Sequence, residues 1–296
     1  MNEFSGYPIR RLESSLLQLD CLATAGPRIV RLCYKGSPNL FAEVPEISVP
    51  TPYGAYHYLG GHRLWHAPES MPGSYIPDGE GLGLSELPDG LILDGKPEPV
   101  IGIKKRIEVR LDPSRPRVTL AHILLNEGTS EVEIAPWALT MLRLGGTAIL
   151  PIRSGGGANE GLLPDRHFSL WPYSRINDPR LHLEDDFILV AAKSDLPPFK
   201  LGALDPLGWT AYWLDGILFR KTFSVNPELR HPDFDCNAEI YSDSDFLELE
   251  SLAPLARLAP GGSVTFRETW DLYDSLEQGF LPEKIIKHLS GKGLQE

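Results

Sequence analysis

Cysteine is scarce: Cys21, Cys33 and Cys236 are the only three in 296 residues, odd in number, far apart and without a C-x-x-C pair. That pattern supports neither a disulfide framework nor a zinc site, and it suits a reducing compartment. Positive charge is also short. Lys and Arg number 28 against 40 Asp and Glu, a formal net charge of −12, and such a surface repels a phosphate backbone and an anionic membrane alike. Nucleic acid and membrane are therefore poor partners. The clusters Arg10-Arg11 and Lys104-Lys105-Arg106 do not change this, since the second falls on an apparent strand and reads as a solvated face. Long hydrophobic runs are missing too: no stretch approaches the ~18 apolar residues of a membrane span. The opening MNEFSGYPIRR carries no apolar leader core before LLQLDCLA, so a cytoplasmic protein is expected.

Glycine and proline are plentiful, 28 and 27 residues, and they cluster between short apolar or alternating runs. This is the rhythm of an all-β protein. The runs predict strands at 16–22, 28–34, 102–111, 117–125, 132–142, 187–192, 209–214, 217–223, 236–241, 246–252 and 263–272. One helix is expected, where Pro282-Glu283 opens KIIKHL and Gly291 follows. An apolar fraction of 42% supplies a large core. With no repeat and no linker, these strands predict a large antiparallel β-sandwich: one domain over 1–275, then a helix and tail over 276–296. Long loops are expected at 43–56, 70–101 and 151–166. The loop RSGGGANEG (153–161) resembles a phosphate-cradling turn but lacks the Lys-Ser/Thr ending and reads as a flexible tip.

Two hairpins can be read by face. Asp215-Gly216 is a two-residue turn that pairs Leu214 with Ile217, Tyr212 with Phe219 and Thr210 with Lys221. Lys221 is then either a solvated charge at a strand end or a ligand contact. Ser-Asp-Ser-Asp at 242–245 predicts a four-residue turn, opposing Glu239 to Glu248 and Asn237 to Glu250. Ala238, Ile240, Leu247 and Leu249 then face the core, while Asn237, Glu239, Tyr241, Glu248 and Glu250 share the other face. Like charges directly opposed need a cation, a proton or a ligand. An acidic face with an aromatic fits a sugar site, where carboxylates accept hydroxyl protons and rings stack on C–H faces. An exposed outer sheet fits it as well. The expected compensating cation is Arg63 or Lys221.

The segment YHYLGGHRLWHAPE, residues 56–69, crowds His57, His62, His66, Arg63 and Trp65 around Gly60-Gly61. These are the donors, proton carriers and flat wall of a small polar-ligand pocket. Equally, Gly60-Gly61 reads as a hairpin turn between half-buried histidines.

Three segments together resemble the galactose mutarotase-like superfamily, the aldose 1-epimerases and their relatives. GPRIVRLCYKGSPNLFAE resembles the family's opening strand and Asn-Leu element. GGHRLWHAPE resembles its arginine-bearing wall. LELESLAPLARLAPGGSVTFRETWDLY resembles its glutamate strand, loop and closing strand. The likeness spans about residues 15–273 as scattered motifs. It implies a β-supersandwich that binds a small-molecule carbohydrate and epimerises it without metal or cofactor. Glu250 falls on the family's base glutamate and Arg63 near its sugar-binding arginine. The family's histidines, one in an HGG motif and one in an NHSYF-like motif, are not matched, since the second region reads APWALTML.

Mutarotation opens a hemiacetal ring: a base takes the anomeric proton and an acid protonates the ring oxygen. The resemblance makes Glu250 the base. The acid is then His62, His66 or His57, or a carboxylic acid raised by its neighbours. Arg63 would hold a hydroxyl or the ring oxygen, and Trp65, Trp137 or Tyr241 the stacking wall. The substrate contacts thus comprise Arg63, His57, Trp65, Asn237, Glu239, Tyr241, Glu248 and Lys221. A non-catalytic sugar-binding protein is the second reading. A glycoside-cleaving pair, Glu248 and Glu250 about 6.5–7 Å apart along a strand, is the third.

Overall fold

The computed structural model describes residues 3–152, 166–226 and 228–274. The predicted C-terminal helix and the 153–161 loop lie outside them.

Nearly every element is an antiparallel strand. The larger sheet runs Glu3–Phe4, Tyr7–Glu13, Leu17–Leu22, Arg28–Tyr34, His62–Ala67, Val132–Leu142, Leu247–Leu252, Ala238–Ser242, Phe199–Ala203 and Phe168–Leu170, with Ala256–Leu258 added to one end of Val132–Leu142. The second runs Leu181–Leu183, Phe187–Ala191, Thr147–Pro151, Trp209–Leu214, Ile217–Phe223, Ser263–Tyr273, Arg117–Asn126, Ile103–Leu111, Gly90–Pro97 and Gly83–Leu87. A separate ribbon pairs Glu43–Thr51 with Gly54–Gly60. The expected loops at 43–56 and 70–101 therefore hold strands, which their many glycines and prolines disguise.

The two sheets stack, and alternate residues of each fill one apolar layer. Leu64, Ala138, Leu247 and Leu249 of the larger sheet share it with Leu120, Phe219, Phe266 and Trp270 of the second. Period-2 alternation then turns the intervening residues of the larger sheet onto its outer face. Arg63 and Trp65, Trp137 and Leu139, Glu248 and Glu250, and Lys200 arrive there from neighbouring strands.

Gly60 and Gly61 are not a hairpin turn. The strand ending at Gly60 pairs with Glu43–Thr51, whereas His62–Ala67 pairs with Val132–Leu142 and Arg28–Tyr34. The dipeptide carries the chain from ribbon to sheet, with φ of 99° and 73°. A Cβ at Gly60 would stand 2.0 Å from the Ala42 carbonyl, and one at Gly61 2.1 Å from that of Ile29. Only glycine fits both the backbone and the space.

The Asp215-Gly216 hairpin has the expected register, Thr210 opposite Lys221. The second hairpin is shifted by two residues: Glu239 pairs with Glu250 and Tyr241 with Glu248. Its turn is 243–246, because the Asp243 carboxylate accepts the backbone N–H groups of Asp245 and Phe246 at 2.8 and 3.1 Å. A shift of two preserves the faces.

Candidate active site

A cleft of about 570 Å³ lies on the outer face of the larger sheet. Its floor is Arg63, Trp65, Trp137, Glu248, Glu250 and Lys200. Its walls come from the ribbon (Ile47, Val49, Tyr58), the segment bearing Glu69 and Tyr75, the residues after Phe168–Leu170 (Trp171, Tyr173) and the 243–246 turn.

Two cations neutralise the acidic face. Arg63 Nη1 donates to Glu248 Oε1 at 2.6 Å, and its guanidinium lies 4.4 Å from the Trp65 ring centroid and 5.4 Å from that of Tyr58. Lys200 sits between the cross-strand pair, 2.8 Å from Glu239 Oε2 and 2.9 Å from Glu250 Oε2. The rings of Trp137 and Trp171 each lie 4.6 Å from its ammonium. Gly202, opposite Glu239, makes the room, since a Cβ there would stand 3.0 Å from Glu239 Cγ.

The two oxygens of Glu250 differ. Oε2 accepts from Lys200 and, at 2.8 Å, from Trp137 Nε1. Oε1 has no protein partner among the described residues. One oxygen is fixed by two donors and the other has none.

Burial sets the protonation of the surroundings. It would lower the Lys200 ammonium, but Glu239 and Glu250 overcome it and hold the group charged, well above the usual lysine range. Glu239 is pushed well above the carboxylate range by burial, with Glu250 and Asp233 adding like charge that Lys200 does not cancel. Glu248 is also raised, by burial and the nearby Glu250 against the pull of Arg63. Burial pushes the Tyr58 hydroxyl up to about 12.

The expected residues divide by strand parity. Arg63, Trp65, Trp137, Tyr241, Glu248 and Glu250 line the cleft, and Glu239 lies beneath Lys200. The histidines do not join them, and among the described residues no histidine lines the cleft. His62 points between the sheets, bonded to His122 at 2.7 Å and Thr140 at 2.9 Å. His66 points the same way, 3.1 Å from Glu98, which also binds Lys105 at 2.6 Å. Both alternate with Arg63 and Trp65, so the sheet separates them from Glu250. His57 is exposed on the ribbon, and Tyr58 beside it reaches the cleft.

Lys221 is neither a solvated charge nor a ligand contact. It spans the interior from the second sheet, bonding the Ala138 and Leu249 carbonyls at 3.2 Å each and Glu268 at 3.2 Å. Asn237 precedes its strand and clamps the Asp205 backbone at 2.7 and 2.8 Å. Lys200, Trp171, Tyr173 and Tyr75 escaped the sequence reading. A lone lysine alternating with Phe199, Leu201 and Ala203 was the available signal for the first.

His62, His122 and Glu268 bring ligand atoms within 4.8 Å of one another. The chemistry of the set does not suit a cation. Glu268 is already held by Lys221, by Ser251 Oγ at 2.5 Å and by Trp270 Nε1 at 3.0 Å, while the histidines bond each other.

Similar proteins were found at the level of structure. No protein-family model matches the chain, and no curated protein matches it. A TPR-domain containing protein from Parabacteroides distasonis ATCC 8503 superposes with a TM-score of 0.64 at 12% identity, covering 93% of this chain and 49% of that one. The chain therefore spans about half that protein's length. A "putative aldose 1-epimerase" from Escherichia coli K12 gives 0.56 at 15% identity, covering 91% of this chain and 100% of that one. A galactose mutarotase-like protein from Lactobacillus casei ATCC 334 gives 0.54 at 11% identity, covering 90% and 100% respectively. The fold is the galactose mutarotase-like β-sandwich.

Proposed function

We propose that the protein is an aldose 1-epimerase-like isomerase acting on a sugar by acid/base ring opening. The observation that carries this is Glu250, with one carboxylate oxygen held by Lys200 and Trp137 and the other unpartnered in an aromatic-walled cleft. Oε1 takes the anomeric hydroxyl proton. Glu248, raised by burial and by Glu250, gives its proton to the ring oxygen. The open-chain aldehyde rotates, the roles reverse, and the ring closes on the other face. Arg63, fixed by Glu248 and stacked on Trp65, donates to sugar oxygens. The geometric likeness to a putative aldose 1-epimerase and a galactose mutarotase-like protein supports the reading at the level of fold.

Anomer exchange followed by NMR tests it. Wild-type protein is expected to accelerate exchange of an aldose, and Glu250→Gln to lower the rate by roughly 10²–10⁴-fold, the usual contribution of a general base. No acceleration over a broad sugar panel sinks the epimerase reading. The absence of histidine from the described cleft lining favours a second reading, a binding protein without chemistry. Saccharide binding by wild type without exchange would establish it.

A further inference from the structure

One cation serves two buried carboxyl groups at the cleft floor. Glu239 and Glu250 are 0% and 1% exposed and stand directly opposite each other across strands. Lys200 bridges them, while Arg63 pairs with Glu248 instead. A buried carboxylate without full compensation takes a proton rather than stay charged. The pair therefore holds one proton and one negative charge.

The donors say which member is charged. Glu250 Oε2 accepts from both Lys200 and Trp137 Nε1, and its side chain lines the cleft. Glu239 has Lys200 alone at Oε2, no donor to Oε1 among the described residues, and no place in the cleft lining. Hydrogen bonds to an ionised carboxylate favour it, so the charge settles on Glu250.

A third carboxyl group points the same way. In the turn Pro232–Asp235, the residues Asp233, Phe234 and Asp235 have φ of 52°, 61° and 65°, a left-handed conformation that Asp tolerates and that is an outlier for Phe. Two bonds pin this turn: the Asp235 carboxylate accepts the His231 N–H at 2.8 Å, and the Pro232 carbonyl accepts the Cys236 N–H at 3.0 Å. It brings the half-buried Asp233 carboxyl to Glu239. An anion there repels a second negative charge and accepts the O–H of a neutral carboxyl group.

We infer that Glu239 is a neutral positioning residue for Glu250: its carbonyl oxygen accepts from Lys200 and its O–H faces Asp233, so that the ammonium is committed to Glu250. Glu239 then never touches the sugar. The catalytic consequence rests on the isomerase reading above, whereas the place of the proton rests on the geometry alone.

Carbon-13 NMR of carboxyl-labelled glutamate, with Gln variants for assignment, reads the proton. Wild-type Glu239 is expected to titrate above the usual carboxylate range. In Glu239→Gln the Glu250 midpoint should stay where it is, because the amide replaces a group already neutral, its oxygen accepting from Lys200 and its NH2 donating toward Asp233. Cys236, Glu248, Tyr173 and Lys221, which also face this pair, are the same in both proteins. A Glu250 midpoint lower by about one pH unit or more in Glu239→Gln would mean that an anion had been removed, and would overturn the inference.

Kinetics supply the second arm. Glu239→Leu cannot accept from Lys200, and it is expected to lower the maximal rate of anomer exchange roughly tenfold with KM within about twofold of wild type. Glu239→Gln should recover most of that loss. Equal losses in the two variants, or none in Glu239→Leu, would also overturn the role. The two readings separate: a wild type that exchanges no sugar sinks the isomerase and leaves the NMR arm to decide the proton, whereas exchange together with an ionised Glu239 sinks this inference alone.

Discussion

Lys200 is the residue on which the cleft's charge balance turns. Its ammonium lies within 2.9 Å of two buried carboxylates paired directly across strands. Removing a partner from a buried ion pair leaves uncompensated charge, at a cost of about 3–5 kcal/mol. Lys200→Met should therefore lower the urea midpoint by that order and release Glu250 Oε2 from one of its two donors. Adding Glu250→Gln should return a large part of the lost stability, because the carboxylate left without its cation goes with it. Strictly additive effects would show that Lys200 and Glu250 are not coupled. The sequence asks for a cation, a proton or a ligand at the opposed glutamates and offers Arg63 or Lys221; Arg63 reaches Glu248, while the pair opposed in the sheet, Glu239 and Glu250, is bridged by Lys200. The sequence does not point to Lys200, because the five-residue strand Phe199–Ala203 is too short for its alternation to stand out from the surrounding prolines. Lys221, the expected alternative, sits on the partner of a correctly read hairpin, but nothing local reveals which sheet that hairpin joins.

At the scale of the element, strand parity decided which expectations survived. His62, Arg63, Leu64, Trp65 and His66 form one strand, so odd and even positions cannot serve the same pocket. The crowding of histidines around Arg63 was legible, but its division by the sheet needed the strand boundaries, and Gly60-Gly61 obscured them. The 236–252 hairpin shows the reverse case. Its register was misread by two residues, yet Glu248, Glu250 and Tyr241 fell on the right face because an even slip preserves parity. Asp243 sets the true register by accepting two turn N–H groups through one carboxylate oxygen. Asp243→Ala should cost about 1 kcal/mol, the usual worth of such a side-chain to backbone cap, read as a shift in urea midpoint. An unchanged midpoint would mean that strand pairing alone holds the hairpin.

For the whole molecule, the groups between the sheets make stability depend on pH. His122 is wholly buried, and burial, aided by Lys221 and opposed by Glu268, pushes its imidazole down to about 4 from 6.5. His62 is lowered well below its usual value by burial, with His122 and Lys221 adding to it. Between pH 6.5 and 4 the unfolded chain binds protons at these rings that the folded chain refuses, so their contribution falls as the pH drops, by at most about 1.4 kcal/mol per pH unit for each ring. The raised Glu239 and Glu248 act oppositely. Above their unfolded values the folded state keeps protons that the unfolded chain releases, and stability falls as pH rises toward the folded values. The wild-type profile is thus a difference of two trends, and a variant is needed to separate them. His122→Gln keeps a neutral donor for His62 but cannot titrate. Denaturation midpoints between pH 7 and 4 should fall more steeply for wild type than for this variant, with the gap opening below 6.5 and saturating near 4. Parallel profiles would show that His122 takes up its proton alike in the folded and the unfolded chain and that its burial does not set the pH dependence.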